Sequence, residues 1–133
     1  MISTLRGEVL PTAQATASFT WQEIVCKCGC NSAYVQEDAL TKLQQLRDLL
    51  GKPMVLNSAC RCPVYNSKVG GAPLSQHRAT ENNPSTAFDI SLAGQDKEAI
   101  IYSAKAVGFK GLGINYNSFV HVDNRPKSLK RWR

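Results

Sequence analysis

A chain of 133 residues has room for one domain with one hydrophobic core and little room for a second. Its 43% hydrophobic content argues against wholesale disorder, and no run of about 18 apolar residues is present to cross a membrane as a helix. The formal net charge of +6 attracts nucleic acid, anionic membrane and phosphate- or carboxylate-rich cell wall alike, so charge does not choose among them.

Residues 1–18 carry Pro11 and several Thr and Ala in no clear pattern, and read as an N-terminal arm or an edge strand. Met1–Arg6 is not followed by an apolar stretch of signal-peptide type. The expectation is a protein made in a cytoplasm and not exported by the usual route, so that something else carries or releases it to any substrate outside. Phe19–Cys30 reads as a loop with a short helical turn around Trp21–Val25. From Gln36 to Leu50, Leu40, Leu43, Leu46 and Leu50 recur at helical spacing with Leu49 beside them, and Gly51 and Pro53 end the helix. Its leucine stripe is expected to pack on a sheet.

Met54–Ser58 follows as a short strand, and Pro63 opens a short helix to Val69, since proline is tolerated in a first turn. Gly70–Pro73 is a turn. Thr86–Leu92 reads as a strand, and Asp96–Val107 as a helix with Ile100, Ala104 and Val107 inward and Gly108 as its stop. Strands Gly111–Asn115 and Ser118–Asp123 come next, joined by a tight turn at Tyr116–Asn117. The last residues, 127–133, form a basic tail with Lys127, Lys130, Arg131, Arg133 and Trp132. Strands and helices mix without a regular βαβ rhythm, which predicts an α+β fold with a small, mainly antiparallel sheet and flanking helices.

Five cysteines, Cys26, Cys28, Cys30, Cys60 and Cys62, are an odd number for a fully paired disulfide framework. Their spacing is not that of a zinc ribbon, so thiols are the main expectation, with a structural zinc shared between the Cys26–Cys30 run and Cys60 or Cys62 as the alternative.

Only two histidines are present, His77 and His121. His121 lies in a strand with Asp123 two residues on, hence on the same face. Asp89 stands between Phe88 and Ile90 in an apolar strand, where a carboxylate must reach solvent, find a partner or bind a metal. Two imidazoles and a carboxylate suit an open zinc site, leaving the fourth position for water. Spacing alone does not decide this, because the residues are scattered and no HExxH motif is present.

The motifs in order add to it. Ser58-Ala59-Cys60-Arg61-Cys62-Pro63-Val64-Tyr65-Asn66, Val69-Gly70-Gly71-Ala72-Pro73, Ser75-Gln76-His77, Ala87-Phe88-Asp89-Ile90 and Phe119-Val120-His121-Val122-Asp123 together resemble the D-alanyl-D-alanine carboxypeptidase family of zinc peptidases, its small phage and bacterial members above all. The resemblance spans roughly Phe19 to Arg125 and implies a peptidase domain over 19–126 with a small antiparallel sheet.

It implies His77, Asp89 and His121 as zinc ligands, and Arg61 as the residue that binds substrate and polarises the scissile carbonyl. Ser75 is implied as a supporting hydrogen-bond residue, and Asp123 as the group that orients His121 or takes part in proton transfer. The implied activity is zinc-dependent hydrolysis of peptidoglycan stem peptides or cross-bridges by a monomer, as carboxypeptidase or endopeptidase, with no nucleic acid and no membrane insertion. The chain departs from the family pattern in a longer stretch, Arg78–Phe88, between His77 and Asp89, and in Ser85 where the family has glycine. Ser118 also stands where relatives carry the carboxylate base. The base is then Asp123, Glu81 or missing, with Asp123 favoured. A missing base leaves a non-catalytic wall-binding or phage structural module as the main alternative. A zinc-stabilised nucleic-acid binder is a more distant one.

Overall fold

The computed structural model describes residues 4–5, 14–26, 34–69, 75–80, 84–125 and 130–132. Thr4–Leu5 (β1) pairs antiparallel with Val35–Gln36 (β2). Between them Trp21–Glu23 forms a single 3-10 turn, with the Glu23 carboxylate accepting the Thr20 N–H at 2.7 Å. Helix α1, Glu37–Leu50, follows β2 directly and carries Glu37 and Asp38 in its first turn, where negative charge meets the positive end of the helix dipole. It buries Ala39, Leu40, Leu43 and Leu46 and stops at Gly51, whose φ of 76° is the left-handed conformation a helix end favours. The predicted stripe is present, with Leu40, Leu43 and Leu46 buried and Leu50 partly buried against the core. Leu49 is 53% exposed, because its position on the helix turns it away from the core.

Leu56–Ser58 (β3) and Ala87–Ser91 (β4) pair antiparallel on either side of helix α2, Pro63–Lys68. The backbone of Met54 and Val55 precedes the paired strand, which is shorter than the one expected from Met54. Helix α3, Lys97–Ala106, is capped by the Asp96 carboxylate, which accepts the Glu98 N–H at 3.1 Å. Gly111–Gly113 (β5), Phe119–Asp123 (β6) and Lys130–Trp132 (β7) complete a five-stranded sheet in the order β3-β4-β6-β5-β7. All its pairings are antiparallel except β5 with β7. The fold is therefore α+β with a mainly antiparallel sheet, as the mixed pattern predicted. The backbone of Lys130–Trp132, within the basic C-terminal stretch, is an edge strand of that sheet.

The tight turn expected at Tyr116–Asn117 is a longer connection over residues 114–118. Tyr116 there stacks on Phe119 with ring centroids 4.3 Å apart, and Lys97 Nζ donates to the Tyr116 carbonyl at 3.2 Å. These contacts hold a wider loop than a two-residue turn would make.

Strand geometry turns successive side chains to opposite faces. Phe88, Ile90, Leu112, Val120 and Val122 face the core with the leucines of α1 and with Ile100 and Ala104 of α3. In the pairing register Asp89 lies opposite His121 and His121 beside Gly113, while Ala87 lies opposite Asp123 and Asp123 beside Gly111. One face of the sheet therefore builds the core and the other collects the polar residues. A register irregularity between Leu56 and Ser58 lets Ser58 pair with Asp89, bringing β3 and the chain beyond it onto the polar face.

Candidate metal centre

His77 comes from the loop before β4, Asp89 from the middle of β4 and His121 from the middle of β6. Asp89 and His121 are cross-strand neighbours, which sets them side by side without any help from the loops. His77 is delivered by a backbone clamp. The Arg61 N–H donates to the His77 carbonyl at 2.8 Å and the Ala79 N–H to the Arg61 carbonyl at 2.7 Å. Ser75 Oγ accepts the His77 N–H at 3.2 Å and so supports the turn beneath the histidine rather than its ring.

The three side chains converge, all buried, with their ligand atoms within 4.8 Å of one another. Asp89 Oδ1 is 3.0 Å from His77 Nε2 and 3.0 Å from His121 Nδ1, and the two ring nitrogens are 3.2 Å apart. The remaining ring nitrogens define what these atoms are. His77 Nδ1–H donates to the Ala59 carbonyl at 2.7 Å, and His121 Nε2–H donates to Asp123 Oδ2 at 2.8 Å. In the neutral imidazoles the inward nitrogens therefore carry lone pairs. Two lone pairs and a carboxylate oxygen face one another, an arrangement that requires a positive charge among them. A tetrahedral zinc with ligands at about 2.0–2.1 Å separates those ligands by about 3.3 Å. The spacing found here fits that geometry, and nitrogen and oxygen donors suit the ion.

Electrostatics agree with the placement. Burial by itself would raise the Asp89 carboxyl, but with no metal a ring that is protonated donates from its inward nitrogen, and such hydrogen bonds from His121 and His77, together with their charges, hold it well below its ordinary 3.8. Burial by itself would lower His121, but hydrogen bonds to Asp123 and Asp89 and the charges of both raise it above its ordinary 6.5. Asp123 is also pulled upward by burial, yet Arg125 and His121 bring it down to about 2.

With no metal, the raised His121 value contributes stability that is fully present below pH 6.5 and is lost as pH rises through the raised value. A cation at the same nitrogens needs His121 neutral. Zinc uptake near pH 6.5 is therefore expected to release up to about one proton per chain, with apparent affinity rising with pH until the raised value is passed. Calorimetry in two buffers of different ionisation enthalpy measures this, and an uptake with no buffer dependence would contradict it.

Arg61, the other residue singled out, points its guanidinium at the cluster. Nη2 lies 3.9 Å from Asp89 Oδ2, Nε donates to Ser58 Oγ at 3.3 Å, and Nη1 donates to Asn66 Oδ1 at 3.3 Å. Asp123 is fully buried on the outer side of the His121 ring, away from Nδ1. Its carboxylate accepts from His121 Nε2, from Arg125 Nη2 at 2.7 Å and Nε at 2.8 Å, and from the Arg125 N–H at 3.2 Å. On that side the carboxylate meets Nε2 and lies away from Nδ1. Ser118 is exposed, and its carbonyl accepts the Leu92 N–H at 2.9 Å. Glu81, Cys28, Cys30 and the predicted Gly70–Pro73 turn lie outside the described residues. Cys60 is buried in the core cluster, and Cys62 caps α2 by accepting the Tyr65 N–H at 3.4 Å.

Sequence reasoning missed Arg125, Asn66, Ser58 and the Ala59 carbonyl. Arg125 is one of 16 cationic residues, and a backbone carbonyl leaves no mark in sequence. The one available signal was the two-residue spacing of Asp123 and Arg125, which strand periodicity turns to one side.

No helix among the described residues is long and apolar enough to cross a membrane. No curated protein matches the chain. A family model described as peptidase M15 does match, over residues 17–123. That stretch runs from just before the 3-10 turn to the end of β6 and contains each residue of the three-ligand cluster, Arg61 and Asp123. The order and convergence of the motifs thus agree with a match covering most of the molecule, and the chain belongs to the peptidase M15 family of zinc D-alanyl-D-alanine carboxypeptidase-like peptidases.

Proposed function

We propose that this metallopeptidase uses a zinc ion held by His77, Asp89 and His121 to hydrolyse peptide bonds in peptidoglycan stem peptides or their cross-bridges. The observation that carries the reading is the meeting of two imidazole lone pairs and one carboxylate oxygen at 3.0–3.2 Å in a buried site. When bound, zinc supplies Lewis acidity, polarising a carbonyl and bringing the pKa of a water to about 7.

The chain's own residues do the rest. Arg61 is always charged and presents a planar donor fork, so it holds a substrate carboxylate or the scissile carbonyl at the edge of the cluster. Asp123 orients His121 through Nε2–H and keeps Nδ1 turned inward. Ser75 and the Arg61–His77–Ala79 backbone clamp keep His77 in place. The protein acts as a monomer on wall peptide, reached by release on lysis or by carriage in a virion.

The test is purified peptidoglycan and soluble stem peptides incubated with the zinc-loaded chain. Loss of cleavage on chelation, its return with zinc, and mass spectrometry of the products would identify the bond cut. Cleavage that persists at full rate after chelation refutes the reading. Ser118 at the position of the relatives' base favours a second reading, a wall-binding module of the same fold. It predicts association with walls and no products in the same assay.

A further inference from the structure

We propose that Arg125 is a positioning residue for the metal centre, acting through Asp123 on the ring of His121. Arg125 lies just beyond the end of β6, two residues after Asp123, and its side chain folds back along the strand. Its guanidinium grips the Asp123 carboxylate as a fork, Nε on Oδ1 at 2.8 Å and Nη2 on Oδ2 at 2.7 Å. Its own N–H adds a third contact to Oδ1 at 3.2 Å. Planar pairing of this kind fixes a carboxylate in orientation as well as in charge.

The grip decides which oxygen meets the histidine. Oδ2, held by Nη2, is also the oxygen that accepts His121 Nε2–H at 2.8 Å. A carboxylate free to rotate about its Cβ–Cγ bond offers the ring no fixed acceptor. The neutral imidazole then divides between its two tautomers, one of which places a hydrogen on Nδ1, where the metal needs a lone pair. Arg125 is thus two hydrogen bonds removed from Nδ1 and still determines whether that nitrogen can bind a cation.

The opposite wall of the Asp123 niche completes the device. Gly111 is the register partner of Asp123 on β5, and a Cβ on it would fall on all three carboxylate atoms, Oδ1, Oδ2 and Cγ. The carboxylate therefore sits between a guanidinium that holds it and a glycine that leaves it room. Arg125 is bonded to Asp123 on the outer side of His121, whereas Arg61 faces Asp89.

The inference rests on the metal reading, and its test is chosen to be independent of peptide cleavage. Arg125→Met removes the fork while keeping an apolar stem, and Arg125→Lys restores a charge without the planar pair. In the full chain, zinc affinity measured by competition with a chromophoric chelator is expected to fall about 10–100-fold in Arg125→Met, the usual effect of losing an outer partner of a ligand. Arg125→Lys should recover part of the loss.

Long-range proton–nitrogen NMR of the metal-free protein, above the pH at which His121 titrates, should show one Nε2–H tautomer in the parent chain and a mixture in Arg125→Met. Gly111→Ala, which crowds the carboxylate from the other side with Arg125 intact, should give the same mixture. Unchanged zinc affinity in Arg125→Met, or a His121 that keeps its single tautomer, overturns the proposal. Should Arg125→Met fail to fold, Arg125→Lys decides by the same two readouts. A parent chain that binds zinc with the expected tautomer but cuts no wall peptide refutes the proposed function and leaves this inference standing.

Discussion

Replacing His77 or His121 by alanine is expected to remove stoichiometric zinc binding and lower peptide hydrolysis by about a thousandfold or more. Either change takes a buried three-ligand cluster to two ligands. The charge stabilisation that a catalytic metal provides is worth several kcal/mol, and each 1.36 kcal/mol is a factor of about ten in rate. The two variants should differ in stability. His77 is buried, and its Nδ1–H satisfies the Ala59 carbonyl at 2.7 Å, so His77→Ala also leaves a buried acceptor without its donor. That adds about 1–3 kcal/mol of destabilisation to the loss of metal. His121→Ala instead strips a partner from Asp123, which keeps Arg125. Metal analysis, thermal unfolding and kcat/KM on one soluble stem peptide separate these effects. A His121→Ala chain that retains activity within tenfold would rule out a metal at this cluster as the catalytic group.

Arg61→Ala is expected to lower kcat/KM by about a hundred- to a thousandfold while leaving zinc binding intact, the size of effect seen when one donor to a developing oxyanion is removed. The guanidinium is pre-positioned. Ser58 and Asn66 each take one of its N–H groups, and its backbone is bonded to His77 and Ala79 on either side. Nη2, 3.9 Å from Asp89 Oδ2, is the part directed at the cluster. Arg61→Lys should restore little, because a point charge on a flexible stem cannot keep both lateral contacts and also face the substrate. Full activity in Arg61→Lys would mean that charge alone matters there, and unchanged activity in Arg61→Ala would remove Arg61 from substrate binding.

Much of this site was visible in the sequence for a local reason. His121 and Asp123 share a strand face because strand side chains alternate, and Asp89 stood out because it interrupts an apolar strand. The leucines of α1 marked a helix because 3.6-residue periodicity is a property of a single segment. Arg125 was not legible as a functional residue. Its importance depends on where the Asp123 carboxylate points, and that depends on Gly111 in another strand. The roles offered for Asp123 could not be separated either, since orienting a ring and accepting a proton call for the same residue type. Its position on the outer side of His121, bonded to Nε2, supports the orienting role proposed above.

By itself, the sequence determined the three α-helices, the strands β3 to β6 in outline, the mixed α+β class and the short set of residues able to carry metal chemistry, because periodicity, capping and side-chain chemistry act over a few neighbouring positions; β2 and the edge strand β7 were not legible there. Only the tertiary structure decided that His77, Asp89 and His121 meet, which nitrogen of each imidazole faces inward, and that Arg125 stands behind the pair formed by Asp123 and His121. Those facts depend on strand register and on backbone hydrogen bonds between segments far apart in the chain. Distances of about 3 Å are set there, by the packing of the sheet, and no local spacing of residues encodes them.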